Sequence, residues 1–194
     1  MALLYTASVT RILVAVGGIA LSAIAYAPLT VTASVSGPVP ARTGGFNEMT
    51  CQQCHWDGPL NDPAGRLDIE GIPAAYTAGK QYMITLRVSH PELMRGGFQL
   101  AARFDDGTNA GTLASRDDLA EVVPDDDGRI RYLQHTRKGS QPPSPSRGEW
   151  SFTWTAPAEA RAVQFHAAAN ASNGDASPLG DFIYTAAVTS SPLR

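Results

Sequence analysis

The chain has 194 residues and a formal net charge of −3, with 15 Lys and Arg against 18 Asp and Glu. The basic residues are scattered without a stripe, which argues against a nucleic-acid partner. Setting aside a processed N-terminal segment leaves about 160 residues, enough for one domain around a single buried core.

Residues 1–33 begin "MALLYTASVTRILVAVGGIALSAIAYA", where one positive charge, Arg11, precedes an apolar run from Ile12 to Ala27. The run is short and interrupted by Gly, so it reads as an export signal rather than a membrane span. Small-residue cleavage patterns lie at "AYA" (Ala25 to Ala27) and "VTA" (Val31 to Ala33), and the second is preferred because a cut at the first leaves Pro28 leading. The other reading is an uncleaved N-terminal anchor, the one way this chain would contact a membrane. Both readings place the remainder outside the cytoplasm.

Residues 34–48, "SVSGPVPARTGGFNE", have the Pro/Gly-rich composition of an extended or mobile connector. Residues 49–65 carry both cysteines, in "MTCQQCHWDG". From residue 66 to 190 seven β-like runs follow: "RLDIEGI", "QYMITLRVSH", "GFQLAARF", "IRYLQHT", "EWSFTWTA", "AVQFHAAAN" and "DFIYTAAVT", parted by clusters rich in Gly, Pro, Asn and Asp. In the second run Tyr82, Ile84, Leu86 and Val88 share one face, and in the fifth Trp150, Phe152 and Trp154 do. This period-two pattern belongs to half-buried strands. The expected fold is all-β, an immunoglobulin-like antiparallel β-sandwich, with Trp150, Phe152 and Trp154 in its core.

Such a core folds without a staple, and a bridge between Cys51 and Cys54 would close a loop too small to remove much unfolded-state entropy. Cys51-Gln52-Gln53-Cys54-His55 is instead the attachment pattern of a c-type haem, with two thiols for the vinyl groups and an imidazole to ligate the iron. The export signal agrees with this, because such haems are attached outside the bacterial cytoplasmic membrane. A thioredoxin-like redox pair needs an α/β fold. A zinc site needs four ligands, which His90, His135, His166 or distant carboxylates would have to complete. A plain disulfide suits the compartment but leaves His55 unexplained.

The blocks "TCQQCH", "GIPAAYTAGKQYMITLRVSHP", "GFQLAARF", "AGTL", "YLQHT", "WSFTWTAP", "VQFHAAANASNGD" and "GDFIYT" resemble the bacterial Reeler-like group known as the choice-of-anchor V domain, over residues 49–188. The resemblance implies an exported, reelin-type sandwich with a CxxCH segment at its N-terminal edge.

A six-coordinate haem iron takes a second axial ligand, His or Met by preference. His135, in "YLQHT", shares a strand face with Leu133, and the resemblance places a histidine in this block; it is the first candidate. His90, next in the alternation of Tyr82 to Val88 and just before Pro91, is the second. His166 reads as a surface imidazole, Met49 and Met94 as gap-fillers, and Trp56 as a ring able to pack on the porphyrin. "VPDDDGR" lacks calcium-loop spacing, and "NAS" at Asn170 is an idle glycosylation match behind a bacterial signal. No residue set points to catalysis. The expected function is single-electron transfer by an exported monohaem protein with haem c, working with redox partner proteins. The alternative is a cofactor-free surface adhesion or ligand-binding module with a Cys51–Cys54 disulfide.

Overall fold

The computed structural model describes residues 34–193, so the expected export signal or anchor lies outside the described residues. Two sheets face each other. The smaller has the order β2 (Arg66–Glu70), β4 (Gln81–Ser89), β9 (Arg147–Thr155), β6 (Thr112–Ser115), and all its pairings are antiparallel. The larger runs β1 (Trp56–Asp57), β11 (Leu179–Pro192), β10 (Val163–Ser172), β5 (Arg95–Arg103), β8 (Arg131–His135), β7 (Ala120–Pro124), with β3 (Ala75–Tyr76) also on β11. The two-residue strands β1 and β3 join β11 in parallel; the other pairs are antiparallel. Among the described residues the one helical element is a 3-10 turn at Cys51–Gln53. The fold is an all-β sandwich, as expected.

Each of the seven anticipated runs forms a strand. Alternation decides which side each residue presents: Ile84, Leu86 and Val88 are buried, while Met83 is exposed. Across the β4/β9 pair, Tyr82 lies opposite Trp154, Ile84 opposite Phe152 and Leu86 opposite Trp150. Rings from the larger sheet complete the interior, with Phe98 4.6 Å from Trp150 and Phe165 4.9 Å from Trp154. A buried indole N–H needs an acceptor. Trp150 Nε1 donates to Gly139 O at 2.9 Å, and Trp154 Nε1 donates to Ala110 O at 2.8 Å. Strands β6 and β7 escaped the sequence reading because they are short, mixed in polarity, and sit at the two sheet edges.

The larger sheet is also covered on its outer side. Strand β5 is buried on both faces after its first residue, and β10 is buried at five consecutive positions, Ala167 to Ala171. Core-facing Phe98, Leu100 and Ala102 alternate with outward Gly97, Gln99, Ala101 and Arg103, and the cover over that second face is the segment 34–55. Small residues on the outer face, Gly97, Ala101 and Ala168, leave room for it to lie close.

Residues 34–48 were expected to form a connector; they hold no strand, yet they are docked by buried polar contacts. Arg42 N donates to Gln99 Oε1 at 2.7 Å, and Gln99 Nε2 donates to Val39 O at 3.2 Å. The Glu48 carboxylate pairs with the Arg103 guanidinium, both groups buried, and accepts from Tyr132 Oη at 2.6 Å and Thr43 Oγ1 at 2.5 Å. A side chain at Gly45 would place its Cβ 2.3 Å from Cγ of His166. Glycine there serves close approach rather than mobility.

Candidate functional site

Thr50 starts the 3-10 turn by accepting from Gln52 N through its side-chain oxygen at 3.2 Å. Cys54 N and His55 N then both donate to Cys51 O, at 3.1 and 3.0 Å. A turn wound this way gathers positions i, i+3 and i+4 on one side. Those positions are Cys51, Cys54 and His55, and all three line a cleft of about 430 Å³ between the 34–55 segment and the outer face of the larger sheet. Pro38 and Val39 supply apolar surface from the segment; Phe98 and His135 come from the sheet. The volume falls in the range of sites that enclose small organic ligands.

His55 is oriented by a partner far along the chain. Its Nδ1 lies 2.5 Å from Oδ2 of Asp181, a carboxylate with no exposed side-chain surface. Asn170 Nδ2 donates to the same oxygen at 3.0 Å, and Asn173 N donates to Asp181 Oδ1 at 3.2 Å. Burial alone would raise the Asp181 pKa. The hydrogen bonds from His55 and Asn170, the charge of His55 and a bond from Ser172 outweigh it and hold the carboxyl below its usual range. An ionised carboxylate accepts from the His55 Nδ1–H, so Nε2 is the ring nitrogen not engaged by Asp181.

His135 approaches from the end of β8, buried against Gly97. A Cβ at Gly97 would lie 2.7 Å from His135 Cε1, so glycine clears the space for this ring. Burial pushes the His135 pKa down, against smaller upward effects from backbone bonds to Phe98 and Ser34 and from Glu121, and repulsion from His55 lowers it further. The ring is neutral at pH 7. Its Nδ1 lies 3.0 Å from Phe98 N and 3.3 Å from Phe98 O. Accepting from the amide puts the proton on Nε2, whereas donating to the carbonyl frees Nε2 to bind a metal. The shorter contact favours the first tautomer, so ligation by His135 requires the proton to move to the Phe98 O side.

Burial pushes the Cys51 thiol up to about 12; its own backbone hydrogen bond and Arg42 oppose this, and Cys54 adds to it. It is therefore a protonated thiol at neutral pH, unlike the activated thiolate of a redox CxxC pair. Both cysteines are free. Among the described residues no group of three or more His, Cys, Asp and Glu side chains is arranged to hold a metal ion by itself.

Two expectations require correction. His90, one residue past the end of β4, continues the alternation and is buried as expected, but it does not line the cleft. Its ring stacks on Phe182 at 3.8 Å, and its Nδ1 accepts from Glu92 N at 3.2 Å. Trp56, although next to His55, belongs to β1, is exposed, and does not line the cleft. His166, Met49 and Met94 are also outside it. Asp181 and Asn170 were missed. Their only sequence signals are an isolated carboxylate heading the apolar run "DFIYTAAV" and an amide inside "AAANAS".

A c-type haem requires two thiols and an axial imidazole on one wall and apolar surface around them, and the residues present fit that requirement. Two of the lining residues carry a buried polar atom without a partner, Asn170 Oδ1 and Arg42 Nε. Buried unpaired groups are costly and uncommon in folded proteins.

No family model matches the chain, and no curated protein matches it. Among solved structures it is similar to the Reelin-N domain of F-spondin, at 21% identity and a TM-score of 0.49, over 74% of this chain and 96% of that one. It is similar to a human F-spondin reeler domain at 20% identity and a TM-score of 0.43, over 69% and 94% of the two chains. It is also similar to a cohesin module from a Clostridium perfringens family 33 glycoside hydrolase, at 11% identity and a TM-score of 0.45, over 66% and 96%. The sandwich assignment rests on the strand order and core described above.

Proposed function

We propose that this chain is an exported, Reeler-like, monohaem c-type cytochrome-like protein that carries single electrons outside the cytoplasm. The observation that carries this reading is the display of Cys51, Cys54 and His55 on one side of a turn facing a partly apolar cleft, with Asp181 occupying His55 Nδ1. Cys51 and Cys54 would serve as the thioether tethers, His55 as the proximal ligand and His135 as the distal one. When bound, haem supplies a one-electron change at iron, with a potential tuned by its ligands and by burial. Asp181 and Asn170 hold the proximal ring in one tautomer and orientation. Pro38 and Val39 supply apolar surface on the segment side of the cleft. Redox partner proteins outside the cytoplasm would donate and accept the electrons, and the export signal in residues 1–33 supports that location.

A second reading, a cofactor-free surface module with a Cys51–Cys54 disulfide, is favoured by the position of both cysteines on one short 3-10 turn. Mass spectrometry of the full chain, purified from a strain with haem-maturation machinery, separates the two. Added haem mass and sharp reduced-state visible bands that survive acid-acetone extraction are expected; colourless protein lighter by two hydrogens would establish the alternative.

A further inference from the structure

A second, more polar pocket of about 290 Å³ opens beside the apolar cleft, and Ser34, His55 and His135 line both. Its other lining residues include Arg95, Arg137 and the serines Ser140, Ser172 and Ser177, with no Asp or Glu among them. Among the described residues neither arginine enters an ion pair, and nor do Arg42, Arg116 and Arg131, whereas Arg66, Arg87, Arg103, Arg129, Arg147 and Arg161 do. Asp175, in the adjoining loop, is occupied by that loop, accepting from Ser177 N at 2.7 Å and Asn173 Nδ2 at 3.2 Å. Ser140 Oγ donates to Arg137 O at 2.9 Å and Ser172 bonds Asp181, so the pocket offers two guanidinium groups outside any ion pair and the Ser177 hydroxyl, suited to carboxylate, beside a cleft lined largely by apolar surface.

We infer that Arg95 and Arg137 form a carboxylate-binding subsite that takes the acidic edge of the ligand in the apolar cleft, which on the reading above means the propionates of the haem. A ligand that is apolar over most of its plane and dianionic at one edge is matched by this division of the walls. Guanidinium groups present paired N–H donors to carboxylate, so their charge and their fork geometry both contribute.

The test titrates the full chain, produced without haem-maturation machinery, with ferric haem and separately with its dimethyl ester, following Soret absorbance. The native chain should bind haem about tenfold more tightly than the ester, as expected for partly exposed ion pairs. Arg95→Gln with Arg137→Gln should bring the two affinities together within about twofold, and Arg95→Lys with Arg137→Lys should restore part of the difference. Both positions are exposed, so these changes leave the fold intact. Haem binding with an undiminished preference in the double Gln variant overturns the subsite and leaves the haem reading standing. Failure of both porphyrins to bind, with colourless protein from the maturation strain, overturns both.

Discussion

The interior between the two sheets and the layer between the larger sheet and residues 34–55 are both shielded from water, but different chemistry closes them. Between the sheets the contacts are apolar, with Phe98 packed on Trp150 and Phe165 on Trp154, and Phe152 buried in the same core. The outer layer is tied down by amides, an ion pair and a carboxylate–imidazole contact: Gln99 with residues 39 and 42, Glu48 with Arg103, Asp181 with His55. Apolar burial is non-directional and accumulates with area. Buried polar contacts have narrow geometry and strong penalties when one partner is removed. The sandwich can therefore stand without its outer layer, whereas that layer depends on a few side chains and is the part that can be opened selectively.

Three substitutions test this division. The largest effect is expected from Trp154→Ala, which leaves a cavity in the core and the Ala110 carbonyl without its donor. A loss of about 3–5 kcal/mol is expected in urea unfolding, with all probes following a single transition. A global loss below about 1 kcal/mol would show that the sheets do not depend on this core.

Glu48→Ala strands the Arg103 guanidinium beneath the segment. Because residues 34–55 can lift and let water reach Arg103, the cost is limited to the docking energy, about 1–3 kcal/mol. Hydrogen exchange should accelerate in residues 34–55 and stay unchanged in β4 and β9. Equal acceleration throughout would merge the two regions into one cooperative unit.

The smallest effect is expected on the exposed face of the smaller sheet, at Glu149. Hydrogen bonds from Arg147 and Arg87 hold its carboxyl below the usual 4.5, against a modest upward effect of burial. A depressed folded-state pKa means that the stabilisation is present above about 4.5 and is lost as pH falls through the lower folded value. The groups are solvated, so Glu149→Gln should cost under about 0.5 kcal/mol at pH 7 and flatten the acid limb of the stability profile slightly. A larger change at pH 7 would mean that this face carries more of the stability than its exposure implies.

The same division governs what could be read from the sequence. Strands β4 and β9 announced themselves because one face of each is apolar and the other is not, and the core followed from them. The CxxCH stretch was legible because its three chemical groups are local and a single turn assembles them. His135 was expected on the face of Leu133, yet Leu133 is in the core while the His135 ring, at the end of β8, lies against Gly97 and lines the cleft. Asp181 was not found, because it meets His55 across 126 positions of sequence and only strand pairing brings them together. Trp56 was misplaced because nearness in sequence was taken for nearness in space. After His55 the chain enters β1, where Asp57 adopts a positive φ of 84° and Trp56 is exposed. The docking of residues 34–48 was hidden by composition, since Gly and Pro mark a close approach as readily as a free linker.

The cysteine-bearing turn is pinned on both sides. Upstream, Glu48 is held under Arg103 and Tyr132; downstream, Trp56 N donates to Pro178 O at 3.0 Å as β1 joins β11. Only seven residues, 49 to 55, lie between these fastenings. Both ends of this short stretch are thereby fixed to the larger sheet, so Cys51 and Cys54 are held where strand pairing sets them rather than on a loose arm.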